Sequence, residues 1–271
     1  MPRASTAAAR PRNRILAALP DEEYARIAPH LEPVTLQVRD LIHDIDQPIT
    51  HVYFVNSGVA SVVSIMADGN AVETATIGYE GMVGLAVFHH ADRTAAQAFC
   101  QVAGDALRMP SDAFRSEIGH APALQALLHR YTQALFTQVA QASACNRMHS
   151  IRQRCARWLL QTHDRVGSDD FAITHEFLAQ MLGVRRASVS EVASALQQAG
   201  LIAYAYGRIS IVSRPGLEQL SCECYFIIAR EYDRLIEGRI RPSPLDGVVA
   251  SKGTKSTLGA PEPRADADAS E

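Results

Sequence analysis

The sequence predicts an α+β fold: an N-terminal antiparallel β-roll, one long helix and a C-terminal winged helix-turn-helix. Three observations carry this expectation. Short runs of alternating apolar and polar residues crowd the stretch from Val52 to Met109. From Pro122 onward, apolar residues recur at steps of four and three. Between Ile173 and Ile211 a helix pattern, a glycine turn, an apolar plug, a second helix pattern and a hairpin follow in order.

The whole chain sets the bounds. Its 271 residues suit one large or two ordinary domains, and a hydrophobic share of 47% is that of an ordinary globular protein. No apolar run reaches the roughly 18–20 residues needed to span a bilayer, so no membrane partner is expected. Residues 1–14 carry arginines and alanines but no secretion-type apolar core; they read as a disordered arm, and the protein as cytoplasmic. The net charge of −3 conceals a slightly basic stretch from Ile151 to Leu220, where Arg152, Arg154, Arg157, Arg165, Arg185, Arg186, Arg208 and Arg214 outnumber the acids. The cysteine number is odd (Cys100, Cys145, Cys155, Cys222, Cys224), which argues for reduced thiols rather than a disulfide framework.

Along the chain, Ile15 to His30 reads as one short amphipathic helix. Val52 to Ile65 is strand-like with a break at Ser57-Gly58, Asp68-Gly69 signals a hairpin, and Val72 to Ile77 alternates again. Gly78, Gly81 and Gly84 follow, then strand-like runs at Gln97 to Val102 and Ala106 to Met109, so residues 15–120 form the roll. Pro122 suits the first turn of a long helix over 121–150. Its four-three repeat of Leu124, Leu128, Tyr131, Leu135, Gln138, Ala142 and Cys145 predicts a coiled-coil-like dimer seam. A second apolar edge, with Leu127, Ala134 and Val139, is expected on the roll. Residues 151–239 form the C-terminal domain, with a helix from Ile151 to Thr162 and a last helix opened by Pro215. Residues 240–271, rich in Pro, Gly, Ser, Ala and Asp, read as a disordered tail.

The pattern most specific for function lies within that last domain. Thr174 is placed to cap a short helix whose inner face is Phe177, Leu178, Met181 and Leu182. Gly183 supplies a tight turn, and Val184 is the apolar plug. A second helix from about Arg186 to Gln198 turns Val189, Val192, Ala193 and Leu196 inward, and Gly200 ends it. Its outward face begins with Arg185, Arg186, Ser188 and Glu191, residue types that read base edges in the major groove. Tyr206-Gly207-Arg208 sits at the bend of a two-stranded wing, and Arg208 suits a phosphate contact.

Here the sequence resembles the Crp/Fnr family of bacterial regulators, over nearly all of Ile15 to Arg239. The segment "ITHEFLAQMLGVRRASVSEVASALQQAGLI" is similar to the family's helix-turn-helix, and "GYEGMVGLAVFHHADRT" to its phosphate-binding cassette. The resemblance implies a cyclic-nucleotide-binding-like jelly roll and a homodimer bound to palindromic double-stranded DNA. RNA polymerase is a further partner if the protein activates transcription. By this resemblance Arg93 and Thr94 hold an anionic or nucleotide effector beside Gly84 and Leu85, with Thr132 and Thr137 of the long helix closing the site. Leu85 stands where cyclic-nucleotide binders carry a ribose-gripping glutamate, so cyclic AMP is not the expected effector. Glu191 replaces a second arginine of the cyclic-AMP receptor type, so the operator should differ. No cysteine precedes Cys100, against an iron–sulfur cluster of the oxygen-sensing kind.

The Cys222-x-Cys224 pair needs more ligands to hold a metal, and His89-His90 reads as solvated, so no metal is expected. No nucleophile–base motif, phosphate loop or catalytic carboxylate pair points to an enzyme. The competing reading is a ligand-binding regulatory subunit whose C-terminal domain contacts protein.

Overall fold

The computed structural model describes residues 10–239. The expected tail over 240–271 and residues 1–9 of the expected arm lie outside them. The remainder of that arm is anchored rather than free. Asn13 is fully buried. Its amide donates to the carbonyls of Val55 (2.9 Å) and Gly81 (2.8 Å), while its Oδ1 accepts from Leu16 N and caps helix α1 (Arg14–Ala17). Arg14 pairs with Glu237 at 2.7 Å and Asp233 at 3.3 Å. These partners come from distant strands and helices, which local composition does not reveal.

Ile15 to His30 is not one helix. Pro20 caps a second helix, α2 (Asp21–Ile27), and a 3-10 turn, Ala28–His30, follows. The fixed proline backbone favours the start of a helix over its interior. The roll then takes β1 (Glu32–Leu36), β2 (Leu41–His43), β3 (His51–Val55), β4 (Val59–Ile65), β5 (Ala71–Ile77), β6 (Met82–Val83), β7 (Gln97–Val102) and β8 (Gly104–Pro110). They form two four-stranded antiparallel sheets, ordered β1-β8-β3-β6 and β2-β7-β4-β5. Ser57-Gly58 does separate β3 from β4, and Asp68-Gly69 does turn the β4–β5 hairpin.

Helix α3 (Ser111–Ile118) leads into α4 (Pro122–Met148), with its proline in the first turn. Ser150 and Gln153 form a reciprocal capping box at the start of α5 (Ile151–Val166). The C-terminal domain adds β9 (Asp170–Ala172), α6 (His175–Leu182), α7 (Arg186–Gln198), β10 (Ile202–Ala205) and β11 (Arg208–Ile211). The expected last helix is two: α8 (Arg214–Leu220) and α9 (Cys224–Tyr232), the latter ending in a π turn, Asp233–Glu237.

The long helix corrects the expected seam. Leu124, Leu128 and Tyr131 are buried in the core of their own chain, among Ile15, Phe54, Met82 and Phe114 of the roll and Ile228 and Tyr232 of α9. Gln138 is buried too and donates to the Thr76 carbonyl. Leu135 and Ala142 are half-buried. A four-three repeat reports that a helix buries a stripe, not what covers it. Leu127 and Ala134 join the same core as expected, but Val139 is exposed. The outward stripe is Phe136, Val139, Ala140 and Ser143, with Phe136 66% exposed.

One buried ion pair ties roll, α4 and α5 together. Arg165 of α5 donates from Nε to Glu80 Oε1 at 2.7 Å, and both side chains are 7% exposed. Its other nitrogens donate to the carbonyls of Gln161 and Thr76 and to Gln138 Oε1. The glycines beside Glu80 serve this packing. A Cβ at Gly78 would lie 2.5 Å from Arg165 Cγ, and one at Gly81 would lie 2.4 Å from the Tyr131 hydroxyl.

Removing one partner of a buried pair strands the other charge in a poorly solvated site. Arg165→Met or Glu80→Gln should each lower unfolding stability by about 3–5 kcal/mol, whereas the double variant should recover much of the loss. Urea unfolding of the four proteins measures this, and equal additive losses would show that the pair is not coupled.

Candidate nucleic-acid interface

In the helix-turn-helix, local chemistry sets each position. Thr174 Oγ1 accepts from Phe177 N at 3.1 Å and caps α6. Gly183 adopts a left-handed φ of 61°, a conformation costly for other residues, and turns the chain. Leu178, Met181 and Leu182 of α6 and Val189, Ala193 and Leu196 of α7 are buried, with Phe177, Val184 and Val192 half-buried against them. His175 stacks on Tyr204 of β10, ring centroids 4.3 Å apart, and bonds Ser190 of α7 at 3.0 Å.

This packing leaves the start of α7 outward. Arg185, Arg186 and Glu191 are exposed, and Ser188 is half-buried beside them. Arg186 reaches Glu176 only at 3.8 Å, with both side chains mostly in solvent, so the guanidinium is held weakly. The wing is a three-stranded sheet, β10-β11-β9. Arg208 opens β11 opposite Ala205 and Ala172 and is exposed. Tyr206, at the wing tip, is fully exposed at φ 51° and followed by Gly207 at 74°. Sequence reasoning placed Tyr206 in the wing without giving it a role. Its signal was a non-glycine residue in a two-residue hairpin that demands positive φ twice.

The arginine excess is not a basic face. Arg154, Arg157 and Arg165 are buried. Arg214 is enclosed by Asp164 (2.7 Å), Glu218 (2.9 Å) and the Tyr225 hydroxyl. Arg152, Arg185, Arg186 and Arg208 remain exposed.

The domain also rests on the roll. Met181 of α6 approaches Ser61 of β4, and Phe177 meets Phe99 of β7 edge-on. Gly69, Asn70, Ala71 and Val72 of the β4–β5 hairpin face Gly183, Val184, Arg185 and Arg186 across a cleft of about 710 Å³. At this contact Glu73 accepts from Ser61 Oγ (2.6 Å) and Trp158 Nε1 (2.8 Å). Burial of its carboxyl raises its pKa to about 7, against those two bonds and the attraction of Arg157 and Arg165.

The expected effector site is only partly assembled. A cavity of about 170 Å³ is lined by Ile49, Val62, Ile77, Met82, Val83 and Leu135, and by Gly84, Leu85, Thr94 and His43. Arg93 does not line it. Its guanidinium donates to the Asp46 carbonyl (2.7 Å), stands 3.9 Å from the Asp92 carboxylate and is half-exposed. Thr132 and Thr137 are also absent from its wall. Their hydroxyls donate to carbonyls one turn back on α4, Leu128 and Gln133. The wall is therefore largely apolar, with His43 and Thr94 as its polar residues and the His43 ring nitrogen Nδ1 buried and unpaired among the described residues.

Because the carboxyl of Glu73 titrates near 7 when folded and near 4.5 when free, the folded state holds its proton more tightly. Stability contributed by that proton is full below about pH 4.5 and is lost as pH rises through about 7. Glu73→Gln should remove this fall. The variant should match wild type near pH 4.5 and exceed it above pH 7 by up to roughly 3 kcal/mol in denaturant titrations. Parallel pH profiles would contradict the assignment.

Comparison with known proteins follows the same division of the chain. Residues 33–120 match the cyclic nucleotide-binding domain, and residues 153–220 the Crp-like helix-turn-helix domain. Among solved structures, FixK2 from Bradyrhizobium japonicum superposes with a TM-score of 0.61 at 17% identity, over 71% of this chain and 98% of that one. The regulator CLP of Xanthomonas campestris, described as responsive to c-di-GMP, gives 0.59 at 14% identity, over 72% and 100%. A CRP-family regulator from Thermus thermophilus gives 0.52 at 22%, over 69% and 96%. No curated protein matches the chain at significant sequence similarity. No helix among the described residues is long and apolar enough to cross a membrane.

Proposed function

The chain belongs to the Crp/Fnr family of transcriptional regulators, and from that premise we propose that it is a homodimer that binds palindromic double-stranded DNA sequence-specifically. The observation that carries the reading is the outward start of α7. Arg185, Arg186 and Glu191 are solvated while the opposite side of the same helix is buried. An arginine so placed offers paired donors to guanine, and a glutamate accepts from cytosine. Arg208 and Tyr206 on the wing suit the flanking backbone.

Dimerisation is assigned to the outward stripe of α4, Phe136, Val139, Ala140 and Ser143, because the inward stripe is consumed by the chain's own core. Two copies would set their recognition helices about 34 Å apart, one turn of DNA. Gating by an effector is assigned to the roll cavity, whose apolar wall suits a small, largely apolar ligand better than an anion. Filling it would push on Leu135 of α4 and bias the contact between α6 and the β4–β5 hairpin. Such coupling acts equally in both directions.

Selection of bound DNA from a random library is the direct test. Arg186→Ala should cost about 1–3 kcal/mol and relax the preference at one base pair per half-site. Arg208→Ala should weaken all sequences alike, since a phosphate contact carries no sequence information. Interchanged outcomes, or no selected sequence at all, would refute the assignment.

Phe136→Glu should yield folded monomers with weakened operator binding, read by light scattering and thermal melting. Leu128→Lys should unfold instead, because the charge would enter the core. A folded dimer for both Phe136→Glu and Val139→Glu would mean that another surface joins the copies.

A further inference from the structure

The helix-turn-helix and the roll cavity leave one group of reactive side chains without a role. Cys145 lies in the last turn of α4, and His149, the extended residue that caps it, donates its backbone N–H to the Cys145 carbonyl at 3.0 Å. Cys222 and Cys224 approach them from the break between α8 and α9. The three cysteines are buried, and the His149 side chain is 15% exposed. The four ligand atoms all lie within 4.8 Å of one another. Cys145 Sγ stands 3.5 Å from Cys222 Sγ, and Cys224 Sγ stands 3.5 Å from His149 Nδ1.

From these contacts we propose that Cys145, His149, Cys222 and Cys224 bind a single zinc-class divalent cation. Tetrahedral zinc holds thiolate sulfur at about 2.3 Å and imidazole nitrogen at about 2.0–2.1 Å, which sets neighbouring ligands roughly 3.8 Å (S to S) and 3.6 Å (S to N) apart. The two 3.5 Å spacings need only a few tenths of an ångström of adjustment, and the remaining ligand pairs, all within 4.8 Å, close by about 1 Å at most. The sulfurs are too far apart for a disulfide, whose bond is about 2.05 Å. Four ligand atoms within 4.8 Å of one another leave room for one ion and no more. With three thiolates and an imidazole, the coordination shell is complete, which is the pattern of a structural ion and not of a catalytic one.

Two outer features fit the same reading. The other ring nitrogen of His149, Nε2, meets Glu223 Oε2 at 3.2 Å, and Gln141 Nε2 donates to Cys224 Sγ at 3.2 Å. A carboxylate behind a ligating histidine fixes its ring and tautomer. Three thiolates around a dication carry one net negative charge. Arg154 and Arg157 are buried close enough to Cys145 to act on it electrostatically, and the Nε of each has no hydrogen-bond partner among the described residues. An anionic centre supplies the counter-charge that two buried guanidiniums call for. The ion would pin the root of α9, which reaches the roll core through Ile228 and Tyr232, to the end of α4.

The test uses the full chain, purified reduced and without chelator. Elemental analysis should find about one zinc per chain, because four protein ligands saturate one tetrahedral ion. After stripping, cobalt(II) should bring up thiolate-to-metal charge transfer and tetrahedral ligand-field bands that saturate at one equivalent. Cys145→Ser and Cys224→Ser should each lower the charge-transfer intensity by about a third or more, since one of three thiolates is removed, and Cys155→Ser, outside the cluster, should keep it. Glu223→Gln should keep the spectrum but bind roughly ten- to a hundredfold more weakly. If a cysteine variant fails to fold, thiol alkylation of the wild type decides: the ion should protect Cys145, Cys222 and Cys224, and chelator should release all three. A reduced wild-type protein that gives no cobalt bands, or a native Cys145–Cys222 disulfide by mass spectrometry, overturns the proposal.

Discussion

The Arg165–Glu80 pair is the constraint on which the architecture turns. Both charges are almost wholly withdrawn from water, so each must be satisfied by the other and by nearby carbonyls. Glu80 sits in the glycine loop of the roll, Gln138 on the long helix and Arg165 on the first helix of the C-terminal domain. Three elements distant in sequence are therefore held at one point. Apolar packing alone would leave their relative rotation soft, since it is non-directional. A guanidinium with fixed donor directions does not.

The same pair revises the meaning of the glycine loop. "GYEG" resembles part of a phosphate-binding cassette, yet here its glycines clear space for Arg165 and for the Tyr131 hydroxyl, which donates to the Met82 carbonyl. The ligand chemistry expected further along the loop is only partly assembled, because Thr94 lines the cavity while Arg93 turns to Asp46 and Asp92. A loop can keep its backbone course after its ligand groups have been redirected. The backbone depends on glycine conformation and packing, whereas ligand binding depends on a few side-chain directions.

Much of the fold was legible because the relevant signals are local. The hairpin at Asp68-Gly69, the proline at the head of α4, the cap at Thr174 and the turn at Gly183 act within a few residues of themselves. The winged domain was legible for the same reason. What was missed depends on contacts across the chain. The repeat on α4 was real, but its partner was the chain's own roll and α9, and the outer stripe at Phe136 was overlooked. Arginines 154, 157 and 165 counted as surface charge until burial removed them. The Cys222-x-Cys224 pair looked incomplete because Cys145 and His149 lie more than seventy residues earlier. Edge strands β1, largely exposed, and β2, only three residues long, gave no alternation to read.

The anchoring of Asn13 and Arg14 has a consequence for biosynthesis. Arg14 bonds Asp233 across 219 positions of sequence, and α9 fills part of the core that α1 enters. On the ribosome, the N-terminal segment leaves the exit tunnel first but cannot make its Arg14 pairs with Asp233 and Glu237 until the turn after α9 has emerged. Closing so long a loop is slow compared with local hairpins and helices. The core around Ile15 and Leu16 therefore lacks its Ile228 and Tyr232 wall until α9 has been synthesised. During that interval the exposed apolar surface is a target for chaperones and proteases, so quality control of the nascent protein is coupled to the arrival of its far end.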